Sequence, residues 1–168
     1  MGSHFKSYEE NHPNTIFLQI DESTSSFCFK NSDTVTITLP VGYAAISERY
    51  FKHTPPTYDE VEYAINYIED EIEKVAPEIA RKGYHLVTDT PFIRNIAQLC
   101  GVETSKEMAL SREAHELVFG QYAEIAMGRP PRPHESDISP RFYAQMLILR
   151  EYLHHLLFEQ VTVIEQVK

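Results

Sequence analysis

Residues able to do chemistry lie in a few short groups. Asp21-Glu22-Ser23-Thr24-Ser25 sets two carboxylates before a run of hydroxyls, and Thr88-Asp89-Thr90 repeats that mixture further along. Carboxylate oxygens are hard ligands, so Asp21, Glu22 and Asp89 brought together at neighbouring strand ends would suit a divalent cation such as magnesium. The simpler expectation is that they are solvated turn residues, the common fate of acids in turns. Glu151, His154 and His155 form another group, in which Glu151 and His155 have the i, i+4 spacing that zinc sites use on helices. Such a pair needs a third ligand and an open position. The simpler expectation here is helix-surface histidines near the negative end of a helix dipole. His134, Glu135 and Asp137 stand in a proline-rich stretch. The hydroxyls of residues 23–26 have no histidine nearby in sequence to activate them as nucleophiles. Gly-x-Ser-x-Gly, Cys-x-x-Cys and the glycine-rich nucleotide fingerprints are absent. The expectation is therefore no catalytic constellation, no bound metal and no cofactor.

Composition narrows the function classes. The formal net charge of the 168 residues is −10, which repels phosphate backbones and anionic lipid surfaces, so neither nucleic acid nor membrane is an expected partner. A polyanionic substrate would need a local concentration of positive charge. Hydrophobic residues make up 42% of the chain, enough for a buried core in a single domain without disulfides. Cys28 and Cys100 each stand in an apolar run, where a buried free thiol belongs. No stretch approaches transmembrane length, and the expected location is the cytoplasm.

The elements that must position these groups follow from periodicity. Residues 1–14 are polar and read as a flexible arm, with one domain over 15–168. Thr15–Ile20, Phe27–Lys30 and Thr34–Leu39 read as three short strands joined by polar turns, an antiparallel meander. Tyr43–Phe51 has helical spacing and ends before Pro55-Pro56. Thr57 with Glu60 predicts a capping box opening the longest helix, which Pro77 must kink or split. His85–Val87 is a short strand. Helices follow from Pro91 to Gly101, from Ser111 to Gly128 with Leu117, Val118, Ile125 and Met127 facing in, and from Ser139 to about Phe158. A loop spans 129–138, and Val161–Ile164 closes the chain as a strand. The order βββ-α-α-β-α-α-α-β predicts an α/β fold, a mixed five-stranded sheet with helices on its faces and the later strands added in parallel by right-handed crossovers. This is the pattern of a ribonuclease-H-like, actin-like half-domain.

Leu39-Pro40-Val41-Gly42-Tyr43-Ala44-Ala45-Ile46-Ser47-Glu48-Arg49-Tyr50-Phe51, followed by Pro55-Pro56-Thr57, resembles a segment of the exopolyphosphatase and guanosine pentaphosphate phosphatase (Ppx/GppA) family. In that family a Leu-x-x-Gly turn precedes a short helix, and Pro-Pro-Thr opens a long one. Ser139-Pro140-Arg141, Gln145–Leu149 and Val161-Thr162-Val163 resemble its last helix and strand. The resemblance covers roughly residues 15–166 and implies the second of the family's two actin-like lobes, whose cleft binds phosphate. The first lobe, with its own phosphate loop and the catalytic glutamate, has no counterpart.

Where that lobe opens with Asp-Ile-Gly-Gly-Gly-Ser-Thr, this chain has Gln19-Ile20-Asp21-Glu22-Ser23-Thr24-Ser25. The family's Gly-Gly-Thr loop matches Thr88-Asp89-Thr90, and a basic residue of the first short helix matches Ala45. Glycines in such loops let backbone N–H groups approach phosphate oxygens. Carboxylates reverse the sign of the site, since like charges about 4 Å apart repel by about 4 kcal/mol at an effective dielectric near 20. The resemblance thus implies an exopolyphosphatase-related protein with degenerate phosphate loops: a non-catalytic binding, regulatory or assembly domain. The alternative is a phosphatase acting on polyphosphate or guanosine polyphosphates, with a site completed by dimerisation or a partner lobe. Asp21, Glu22, Ser23, Thr24, Asp89 and Thr90 would be the ligand-facing residues in either case. Tyr43, Tyr50, Phe51, Tyr58, Tyr63 and Tyr67 crowd one segment. Together with the unpaired inter-lobe face, they point to self-association or a protein partner.

Overall fold

A computed structural model describes residues 8–79 and 81–166. The meander forms as the alternation requires: β1 (Thr15–Ile20), β2 (Ser25–Asn31) and β3 (Asp33–Leu39) pair antiparallel, with Phe17 opposite Cys28 and Phe27 opposite Ile37. Helix α1 (Tyr43–Tyr50) leads to α2 (Tyr58–Val75). The Thr57 hydroxyl accepts from the Glu60 N–H at 3.2 Å, and the Glu60 carboxylate accepts from the Thr57 N–H at 2.9 Å, completing the capping box. Pro77 lacks the N–H that would continue the ladder, and α2 gives way to a 3₁₀ turn over Ala76–Glu78. Strand β4 (His85–Thr88) then lies parallel beside β1.

The order beyond β4 departs from expectation. After α3 (Pro91–Leu99) comes a strand, β5 (Glu107–Ser111), before α4 (Arg112–Ala126), α5 (Pro140–His155) and β6 (Gln160–Ile164). The sheet therefore has six strands, not five, in the order β3-β2-β1-β4-β6-β5. Strand β6 is parallel to β4, and β5 closes the edge antiparallel to β6. The missed strand is short and built from residues that also favour helices. Only Met108 and Leu110 alternate inward, opposite Val163 and Val161, and that pairing makes it a strand.

A continuous core on one face of the sheet joins Ile16, Leu18, Phe27, Leu86, Val161 and Val163 to residues of α1 through α5. In α4 the inward stripe is His115, Phe119, Tyr122 and Ile125, whereas Leu117 and Met127, expected inside, are exposed. The stripe follows the side of α4 that meets α5, where the Tyr143 hydroxyl donates to the Tyr122 carbonyl at 2.6 Å. Helix α5 stops at His155 rather than near Phe158, because Leu157 adopts φ 60° and turns the chain into β6.

The opposite face holds a smaller cluster of Phe17, Cys28 and Val87. Residues 8–11 form a helical turn, and Tyr8 stacks on His12 and packs against that cluster, so this end of the expected arm is docked on the sheet. The rest of the arm, residues 1–7, lies outside the described residues, as do residues 167–168 of the expected domain.

Candidate functional site at the strand ends

The ends of β1 and β4 lie side by side, with Leu18 paired to Thr88, so the turns that follow share one edge of the sheet. In open α/β sheets this edge is where ligands bind. Asp21 folds its carboxylate back on its own turn. Oδ1 accepts from the N–H groups of Ser23 at 2.8 Å and Thr24 at 2.7 Å, and Asp21 N–H donates to the Thr24 carbonyl at 2.9 Å. The Thr24 N–H, with that of Ser23 assisting against desolvation, holds the Asp21 carboxyl below its usual range.

Glu22 and Asp21 also act through their backbones. The Tyr43 N–H donates to the Asp21 carbonyl at 3.2 Å, and the Ala44 and Ala45 N–H groups both donate to the Glu22 carbonyl at 3.0 Å. The first amides of α1, with no side-chain cap at Gly42, are thus satisfied by the turn. The approach is so close that a Cβ on Gly42 would stand 2.4 Å from Glu22 backbone atoms. The Glu22 carboxylate accepts from Arg141 Nη2 at 3.1 Å, and the same guanidinium lies over the Tyr43 ring at 4.6 Å and donates to its hydroxyl at 3.2 Å. Arg141 therefore brings a cation to this edge from the start of α5. Its Ser-Pro-Arg context marked the helix start but not this contact, which spans 119 positions of sequence.

Asp89 and Thr90 are buried. Asp89 Oδ1 accepts from Gln19 Nε2 at 3.2 Å. The Thr90 hydroxyl accepts from the Ile20 N–H at 3.3 Å and stands 3.0 Å from the Thr88 hydroxyl, which donates to the Leu18 carbonyl at 2.6 Å. These bonds sew β4 to β1. Asp21, Glu22 and Asp89 share the edge, but each carboxylate has its own hydrogen-bond donors.

The other groups singled out by sequence have separate places. Glu135 is buried and accepts from Arg129 Nη1 at 3.0 Å, Arg129 Nη2 at 2.8 Å and the Arg132 N–H at 2.7 Å. The Asp137 carboxylate accepts from Ser139, the residue capping α5. Both acids close the proline-rich loop. His154 Nε2 lies 2.9 Å from Glu116. Glu151 and His155 meet Glu69 of α2, a residue that their spacing could not name. Burial, then the nearby Glu69, push the Glu151 carboxyl up, against the pull of Arg150. Cys28 is a buried free thiol as expected, whereas Cys100 is only partly buried, and that burial pushes its thiol up to about 11. No described helix is long and apolar enough to cross a membrane.

No family model and no curated protein sequence matches the chain. Solved structures do. An Aquifex aeolicus Ppx/GppA phosphatase superposes with a TM-score of 0.70 at 20% identity, covering 90% of this chain and 53% of that one. An exopolyphosphatase-like protein gives 0.70 at 12% identity, with 90% and 56% covered. An exopolyphosphatase from Cytophaga hutchinsonii gives 0.63 at 14%, with 90% and 53% covered. The chain spans about half the length of each of these structures. The six-stranded sheet and its helices thus have the actin-like, ribonuclease-H-like fold of a single lobe of the Ppx/GppA phosphatases.

Proposed function

We propose that this chain is an exopolyphosphatase-related binding, regulatory or assembly domain that does not itself hydrolyse phosphoanhydrides. The observation that carries this reading is the closed helix start. Free N–H groups at a helix N-terminus suit an anion such as phosphate. Here the Tyr43, Ala44 and Ala45 amides donate to the carbonyls of the Asp21-Glu22 turn. The Asp21 and Glu22 carboxylates at this edge add negative charge where a phosphate would bring more. Asp21, Glu22, Ser23 and Thr24, at the surface of this edge, are the residues through which a ligand would be met, while Asp89 and Thr90 are buried at the same edge.

A released-phosphate assay on polyphosphate tests the reading, with Asp21→Ala and Glu22→Ala variants alongside. The expected result is no turnover by any of the three proteins. Turnover by the unaltered chain that both substitutions abolish would establish the second reading, a phosphatase whose site is completed by a second copy or a partner lobe. That reading draws on the chain's spanning about half of the Ppx/GppA phosphatase and exopolyphosphatase structures.

A further inference from the structure

We propose that Glu69, Glu151 and His155 form a site for a borderline transition-metal cation of the zinc type, bridging α2 to the end of α5. Glu151 and His155 stand one turn apart on the same side of α5, and Glu69 reaches them from α2. One donor atom from each of the three lies within 4.8 Å of the others. His155 Nε2 is 2.9 Å from Glu69 Oε2 and 3.3 Å from Glu151 Oε1. In a tetrahedral site with bonds of about 2.0–2.1 Å, neighbouring ligand atoms stand about 3.3 Å apart. These two edges therefore already have nearly the spacing that a zinc ion sets.

A second observation points to a ligand. Glu151 is 1% exposed, and its Oε1, turned toward this trio, makes no hydrogen bond, with His155 Nε2 standing 3.3 Å away. A buried carboxylate oxygen without a well-formed hydrogen bond is costly, and a cation satisfies it. Its other oxygen, Oε2, accepts from Arg150 Nη1 at 2.8 Å. That bond fixes the carboxylate's orientation, as the outer-shell partners of metal ligands do. Glu69 and His155 are only partly buried, which leaves the outer side of the trio open for a water ligand. An imidazole nitrogen beside two carboxylates selects zinc-like ions over magnesium, which prefers oxygen. The trio lies about 20 Å along α5 from the Arg141 end, so it is distinct from the strand-end site.

Titration of the purified chain with cobalt(II), read by the visible bands of tetrahedral cobalt, followed by displacement with zinc, tests the site. Stoichiometric binding is expected, displaced by zinc and unaffected by excess magnesium. Glu69→Gln and His155→Ala should each weaken affinity by more than about 100-fold, beyond the 10–100-fold loss typical of outer-shell changes. Glu69→Gln changes a partly exposed side chain, so it reports on binding even if His155→Ala fails to fold. His154→Ala, which alters the neighbouring pair with Glu116, should leave affinity unchanged. The proposal is overturned if the unaltered chain binds neither ion, if magnesium displaces cobalt, or if Glu69→Gln binds as tightly as the unaltered chain.

Discussion

Gln19 and Asp89 show how residues at the strand ends depend on one another. The Gln19 amide donates to Asp89 Oδ1, where an aspartate at position 19 would set two like charges together. Gly42 has a comparable constraint. It is the residue that lets α1 start against the Asp21-Glu22 turn, since a Cβ there would meet Glu22 backbone atoms at 2.4 Å. Gly42→Ala is expected to destabilise the fold by about 1–3 kcal/mol, the usual range for overpacking, measured by urea denaturation.

Two other residues contribute to the response to acid. Burial holds His115 down to about 4 from an ordinary 6.5, although its ring hydrogen-bonds the Met146 carbonyl. The unfolded chain therefore takes up a proton first, and stability falls as pH drops from 6.5 towards 4. Arg129, then the Arg132 N–H, hold Glu135 down to about 2 against desolvation. Its contribution is full above 4.5 and is lost as pH falls towards 2. Denaturation curves between neutral pH and pH 2 should show both losses. His115→Gln should flatten the upper limb alone, and Glu135→Gln should reduce the lower one, to which Glu60 also contributes.

Among the elements, α2 has the clearest sequence signature. Its Thr57–Glu60 box was legible because capping is local, set by residues three apart. Glu60 does more than the motif states. Against desolvation, the N–H groups of Thr57 and Lys52, with His53, hold its carboxyl down to about 2. It thereby ties the end of α1 to the start of α2. Thr57→Ala should cost about 1 kcal/mol by thermal or urea denaturation, whatever its effect on ligand binding. Strand β5 is the opposite case. Glu107-Met108-Ala109-Leu110-Ser111 has too weak an alternation to announce a strand, and β6, some fifty residues on, decides it. The inward face of α4 was hidden for the same reason. Several of its apolar residues could face in, and contact with α5 selects among them.

For the molecule as a whole, the fold covers about half of the Ppx/GppA structures it resembles, and Tyr58 and Tyr63 of α2 remain 54% and 65% exposed. Self-association through an exposed face follows as a proposal. Light scattering at low concentration should give a mass above the monomer, and Tyr58→Ser with Tyr63→Ser should lower it. A monomer at all concentrations would count against a second copy as the partner.

By itself the sequence determined the meander, the parallel addition of β4 and β6, the caps of α2, α4 and α5, and the absence of glycines in both loops. The meander and the caps depend on periodicity or on residues within a turn of one another, and the parallel addition on the right-handed crossover rule. The resemblance to the Ppx/GppA lobe carried the topology. Tertiary structure alone decided how the edge residues are used. The α1 amides close on the Asp21-Glu22 carbonyls, and Arg141 meets Glu22 from the far end of the chain. It also supplied Glu69 to the Glu151–His155 pair. Spacing can place two ligands on one helix, but a third from another helix is set by packing, which no local pattern encodes.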